Sequence, residues 1–171
     1  MKIFIASDIH GSACWCEKML DAFEKSGAER LLLLGDILYH GPRNDLPEDY
    51  APKRVAAALN SVKVKILCVK GNCDTEVDQM VLEFPIMAEY AYICADGKRI
   101  FTSHGHKFTP ETPPPLCSGD ILLGGHTHVP VIRDCGYFTY VNPGSVSIPK
   151  ENSHHSCLIY EDGKFNFITL K

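Results

Sequence analysis

Residues 2–36, KIFIASDIHGSACWCEKMLDAFEKSGAERLLLLGD, decide the fold. Residues 3–6 are apolar, partly β-branched and bounded by polar neighbours, the mark of a buried strand. Cys16, Met19, Leu20 and Phe23 then recur at i, i+3, i+4 and i+7. That spacing makes one face of an amphipathic helix, and Gly27 suits its C-terminal stop. Residues 31–34 form a second apolar run ending at Gly35-Asp36. Strand, helix, strand is a βαβ unit, so the two strands are expected to be parallel and adjacent.

The alternation continues outward. Residues 38–50 carry prolines, a glycine and polar side chains and read as a loop. A helix is expected to start near Pro52, because proline is tolerated at the first helical position, and Val55, Ala58, Leu59 and Val62 keep helical spacing. A third strand over 65–69 ends at Gly71-Asn72, and a short helix is expected over 76–82. The second half changes character. Short strands are expected at 88–94, 99–103, 121–123, 129–132, 137–141, 156–160 and 165–170. Asp96-Gly97, Cys135-Gly136 and Asp162-Gly163 supply turn chemistry between them. The economical assembly is α/β: two packed mixed sheets with helices outside.

The chain has 171 residues, expected to form one domain (1–171) with a core that needs no disulfides. Hydrophobic residues at 45% and charged residues at 22% place it among soluble globular proteins. A formal net charge of -4 argues against general nucleic-acid or membrane-surface binding, which calls for a basic excess. The 8 cysteines include no C-x-x-C pair, and most, such as Cys68, Cys94 and Cys157, sit in apolar surroundings. They read as reduced structural thiols. The N-terminal apolar run is too short for a signal segment, so the expected location is the cytoplasm. Short edge strands in the second half leave room for a homo-oligomer.

The chemistry sits just past the end of each strand. Asp8 and His10 come after the first, Asp36 after the second and Asn72 after the third. His104 comes after the strand near Phe101, and His126 and His128 after the one near Leu122. In open α/β sheets ligands collect at the carboxyl ends of strands. Carboxylate, imidazole and amide oxygen suit borderline divalent ions. So many donors exceed the needs of one catalytic ion and suit two, about 3.5–4 Å apart. Taken singly, each has a plainer reading. Asp-x-His makes a turn, Asp36 caps a helix, Asn72 takes a left-handed turn, and a lone histidine is satisfied in core or surface. The joint pattern, with glycines where backbones crowd, favours the metal reading.

Asp8-Ile9-His10-Gly11, Gly35-Asp36, Gly71-Asn72-Cys73-Asp74, His104-Gly105-His106 and Gly125-His126-Thr127-His128 resemble the signature blocks of the calcineurin-like metallophosphoesterase superfamily. Within it, Gly41-Pro42-Arg43-Asn44, Val77-Asp78-Gln79-Met80, Phe84-Pro85-Ile86 and the run 142–150 are similar to the small bacterial phosphodiesterases of the YfcE type. The resemblance implies an αββα four-layer sandwich and two divalent cations, Mn²⁺ first, with Zn²⁺, Fe²⁺ or Ni²⁺ as alternatives. It implies one ion on Asp8, His10, Asp36 and His128. The other would sit on Asp36, Asn72, His104 and His126, with Asp36 bridging. Hydrolysis of small phosphodiesters by a metal-bridging hydroxide would result; His104, or Arg43 in the loop after the second strand, would offset charge on the equatorial oxygens.

One departure stands out. Most of the superfamily carries histidine after the Gly-Asn pair, implied to protonate the leaving group; here that place is Cys73. A thiol donates a proton poorly near neutrality. Good leaving groups should therefore be favoured. Two other functions are open: a phosphomonoesterase or protein phosphatase, and a catalytically weak scaffold of the retromer-subunit type. Cys73 counts against the first and the full ligand set against the second. His40, His106 and His154-His155 are weaker site candidates.

Overall fold

The structure is a computed structural model that describes residues 1–171. The first half runs β1 (Ile3–Ala6), α1 (Ala13–Ser26), β2 (Arg30–Leu33), α2 (Pro52–Ser61), β3 (Ile66–Cys68) and α3 (Glu76–Gln79). The second half is all strand: β4 (Tyr90–Ala95), β5 (Lys98–Ser103), β6 (Ile121–Leu123), β7 (Pro130–Asp134), β8 (Thr139–Pro143), β9 (Ser156–Glu161) and β10 (Lys164–Thr169). Every expected element is present, with boundaries displaced by a few residues.

One sheet has the order β10-β9-β1-β2-β3 and the other β4-β5-β6-β8-β7. β1, β2 and β3 are parallel, as the βαβ reading requires, and β9 joins antiparallel to β1. In the second sheet β5, β6 and β8 are parallel, while β4 and β7 run antiparallel at the edges. Both sheets are therefore mixed.

Side-chain alternation builds the layers. Ile3, Ile5, Leu32 and Leu34 point between the sheets and meet Ile100, Ile121, Leu123 and Val141. Phe4, Ala6, Leu31 and Leu33 point the other way, under Cys16, Met19 and Phe23 of α1 and Val55 and Leu59 of α2. Strands buried on both faces explain why these segments read as continuous apolar runs. Gly27 ends α1 at φ 68°, and Pro52 opens α2.

The outer face of the second sheet, with Phe101, Leu122, Phe138 and Tyr140, packs Phe108 and Leu116. These come from segment 104–119, which is irregular. The helical flank thus lies on the first sheet, and the fourth layer is loop. Three consecutive prolines, Pro113 to Pro115, withhold the N–H groups a helix would need. The arrangement brings the carboxyl ends of β1, β2, β3, β5 and β6 to one edge.

Candidate metal centre

Asp8 and His10 leave β1, Asp36 leaves β2, Asn72 comes after β3, His104 after β5, and His126 and His128 leave β6. Five of these residues hold the left-handed backbone conformation: Asp8 (φ 59°), His10 (49°), Asp36 (54°), His126 (67°) and His128 (63°). Such conformations cost on the order of 1–3 kcal/mol each and persist where surroundings force them, often at functional sites. Two glycines allow the close approach. A Cβ on Gly71 would sit 2.1 Å from Asp36 Oδ1, and one on Gly125 would sit 1.9 Å from Ser7 Oγ.

The donors fall into two adjoining groups. In the first, Asp8 Oδ1 lies 3.5 Å from His10 Nε2 and 3.3 Å from His128 Nε2. In the second, His104 Nε2 lies 3.3 Å from Asp36 Oδ2, 3.0 Å from Asn72 Oδ1 and 3.2 Å from His126 Nδ1. Asp36 Oδ2 is also 3.8 Å from His10 Nε2, so this oxygen faces both groups. All of these side chains are buried except Asn72, which is exposed, and His126, which is half-buried.

The arrangement fits cations and little else. His10 Nδ1 is 2.8 Å from the Tyr39 carbonyl, His104 Nδ1 2.6 Å from that of Leu34, and His128 Nδ1 2.6 Å from that of Ile148. A carbonyl only accepts, so each Nδ1 carries a proton and donates it. In the neutral ring, Nε2 is then a lone pair. The Nε2 atoms of His10 and His128 face one another at 3.3 Å. Two lone pairs cannot hydrogen-bond, and Asp8 Oδ1 beside them is buried with no hydrogen-bond partner. A positive charge, either a proton or a metal ion, must lie among them.

Electrostatics agree. Burial opposes ionisation of Asp8, yet His10 and His128 outweigh it and hold its carboxyl well below the usual range. Asp36 is lowered likewise: burial opposes ionisation and His104 overrides it. Burial also acts to lower His104, but Asp36 and Asp8 hold it up at about 9. His126 is pulled down to about 4 by burial and by the charge of His104. Both carboxylates are therefore ionised near neutrality, in the form that ligates metal. Oxygen and imidazole donors in this ratio suit Mn²⁺, Fe²⁺ or Zn²⁺.

Several residues support the donors in ways the sequence reading did not assign. The Asp74 carboxylate accepts backbone N–H bonds from Asp36 (2.8 Å), Ile37 (2.9 Å) and Gly71 (2.7 Å). It ties the loop after β2 to the loop after β3. Ser7 Oγ (2.6 Å) and the His126 N–H (3.0 Å) both donate to Asp8 Oδ2, leaving Oδ1 free to ligate. Ser145 Oγ donates to the Asp8 carbonyl at 2.8 Å, and Asn142 Nδ2 donates to that of Gly125 at 2.7 Å. Asp74 stands inside a signature block and Asn142 inside the run 142–150, which was the one available signal.

The donors open onto a cleft of about 370 Å³ whose lining includes Arg43, Asn72, Cys73 and Lys150. Arg43 and Cys73 thus stand at the cleft, and Lys150 is a cation the sequence reading passed over. The Cys73 N–H donates to Asp36 Oδ1 at 2.8 Å, while burial and that carboxylate push its thiol up to about 12. His106 lies 5.4 Å from His104 by ring centroids and is outside the donor pairs. His155 is stacked on Trp15 at 3.5 Å, apart from the cleft lining.

The family model for the calcineurin-like phosphoesterase superfamily domain matches residues 1–163. Phosphodiesterase YfcE of Escherichia coli (strain K12) is 49% identical over 170 residues, covering 99% of this chain and 92% of that protein. The solved structure of YfcE, a phosphoesterase from E. coli, superposes with a TM-score of 0.93 at 44% identity, over 100% of both chains. A Vps29 single mutant from Entamoeba histolytica shares the fold alone, with a TM-score of 0.62 at 20% identity over 100% of both chains.

Proposed function

The chain belongs to the calcineurin-like phosphoesterase superfamily and is a phosphoric ester hydrolase, and from that premise we propose that it is a binuclear metal-dependent phosphodiesterase acting on small diesters. The observation that carries the reading is the 3.3 Å approach of His10 Nε2 and His128 Nε2 beside the unpartnered Asp8 Oδ1, which calls for a cation among them. Asp8, His10 and His128 would hold one ion, and Asn72, His104 and His126 the other. Asp36, whose Oδ2 faces a histidine of each group, would be shared by both. When bound, such a pair supplies Lewis acidity and a water of lowered pKa.

The chain's own residues do the rest. The carbonyls of Tyr39, Leu34 and Ile148 hold three imidazoles in one tautomer, so Nε2 is presented without rearrangement. Arg43 and Lys150 line the cleft and offset charge on phosphoryl oxygens. Cys73, neutral near pH 7, is a weak proton donor where a leaving oxygen would depart. Esters with good leaving groups are therefore favoured. Manganese is the ion we assign first, with Zn²⁺, Fe²⁺ or Ni²⁺ as alternatives.

No helix is long and apolar enough to cross a membrane. All 8 cysteines are free, which fits a reducing compartment, and we place the protein in the cytoplasm. The test is elemental analysis of the purified protein beside hydrolysis of bis(4-nitrophenyl) phosphate with Mn²⁺, Zn²⁺, Fe²⁺ and Mg²⁺. Near-stoichiometric pairs of ions and metal-restored turnover are expected. Protein that binds no ion and hydrolyses no diester would end the reading.

A further inference from the structure

Beside the metal cleft lies a second hollow, of about 270 Å³, and the two share one wall, Cys73. Its other walls are mainly apolar: Leu38, Tyr39, Tyr50, Pro52 and Val77, with Asp78 the one charged residue. The aromatic walls are fixed in place. The His40 ring meets Tyr39 at 4.8 Å and Tyr50 at 5.2 Å, edge to face in both cases. Tyr50 packs directly on Gly11, where a Cβ would come within 2.5 Å of its ring. The Tyr39 carbonyl accepts the hydrogen bond that orients His10. One residue therefore positions a donor of the metal centre and walls the hollow.

Charge decides what fits. Arg43 and Lys150 line the metal cleft and are absent from the hollow. There the charge is the Asp78 carboxylate, whose Oδ2 accepts the Thr75 N–H at 2.7 Å and hydroxyl at 2.9 Å. A carboxylate beside apolar area disfavours an anionic occupant. Tyrosine walls favour a flat, neutral ring, which buries area and stacks.

We propose that this hollow is the subsite for a neutral aromatic ester group of the substrate, with Tyr39, Tyr50 and Val77 setting the preference. The proposal rests on the reading of the cleft as a metal centre. A phosphoryl group seated in the cleft sends one ester oxygen past Cys73, and the group it carries enters the hollow. The other oxygens stay on the side of Arg43 and Lys150.

Calorimetric titration of the manganese-loaded protein with phenylphosphonate and with methylphosphonate tests this without turnover. Phenylphosphonate is expected to bind about tenfold tighter, the return on burying most of one ring. Val77 is 69% exposed on α3, so Val77→Asp should fold normally. It should abolish the phenyl preference while methylphosphonate binding and manganese content stay as they were. Val77→Leu should keep the preference. Equal affinity for the two phosphonates, or a phenyl preference that survives Val77→Asp, overturns the subsite alone. A protein that retains no manganese, or that binds neither phosphonate when loaded, overturns the subsite and the metal-centre reading together.

Discussion

The thiol of Cys73 lines the cleft beside Asp36, and burial together with that carboxylate pushes it up to about 12. A donor that weak gives a departing alkoxide little help. Cys73→His should raise turnover on diesters with poor leaving groups, on the order of a hundredfold, and much less on nitrophenyl esters. The dependence of kcat on leaving-group pKa measures it; an unaltered slope with both metals retained would exclude the explanation. His104 gives a second prediction. Burial acts to lower it, but its hydrogen bond to Asp36 and the charge of Asp8 raise it from 6.5 to about 9. In metal-free protein its proton favours folding fully below 6.5 and ceases to do so as pH rises through about 9. Metal-free protein should lose stability across that window, while manganese affinity should rise, because the ligating nitrogen must be free of its proton. Melting curves with and without chelator across that range read both trends; parallel trends in the two states would remove His104 from the ligand set. At this scale the sequence was informative about donors, because each comes directly after a strand and the chemistry of its side chain is its own. Asp74 and Lys150 were quoted within motifs but given no role. Asp74 acts by accepting N–H groups as far as 38 residues away, as in Asp36 N to Asp74 Oδ2, and such pairings leave no periodic trace.

At the scale of elements, glycines in two different roles give contrasting outcomes. Gly27 has φ +68°, but a Cβ there meets nothing within 4 Å. Gly27→Ala should therefore cost only the left-handed strain, about 1–2 kcal/mol, and leave metal content intact. Gly125 lies between β6 and His126, where a Cβ would fall 1.9 Å from Ser7 Oγ and 2.9 Å from Asp8 Oδ2. Gly125→Ala must displace the carboxylate that Ser7 and His126 hold. A comparable loss of stability, about 1–3 kcal/mol, should come with loss of metal. Chemical denaturation beside elemental analysis separates the two variants; retained metal in Gly125→Ala would show that the loop relaxes without moving Asp8. The element map was legible wherever local chemistry decided it. Asp96-Gly97 and Asp162-Gly163 both take positive φ and close the β4–β5 and β9–β10 hairpins. The helix expected over 76–82 stops at Gln79. The Gln79 side chain donates to the carbonyls of Leu82 and Phe84 and accepts from the Ile86 N–H, each at 2.9 Å, which holds the chain beyond it irregular. Helical spacing does not reveal a side chain that turns back on its own backbone.

At the scale of the molecule, two face-packed sheets bring the donors together at one shared edge. Asp8, His10, Asp36 and Asn72 come from the first sheet, and His104, His126 and His128 from the second. The two-sheet sandwich was legible because the βα half and the strand-rich half differ so plainly in apolar spacing. The loop cover over Phe101 and Tyr140 was not, since segment 104–119 binds through scattered Phe108 and Leu116 rather than a periodic face. Under the proposed function the ions would be a clamp between the sheets, and ions that bind only the folded chain must stabilise it by mass action. At a free concentration of about 100 times Kd the gain is about 2.7 kcal/mol per site. A domain of this size melts about 2–4 °C higher per kcal/mol, so chelation of both sites should lower Tm by about 10–20 °C. The increment should vanish in Asp36→Asn and shrink in His128→Ala. Asp36 faces both donor groups through Oδ2, so its loss should empty both sites. His128 stands in one group only, and its variant should retain the ion held by Asn72, His104 and His126, more weakly. Elemental analysis then distinguishes a shared aspartate from two independent sites. If Asp36→Asn keeps a full ion in either group and a normal manganese response in Tm, the two sheets are held together by packing alone.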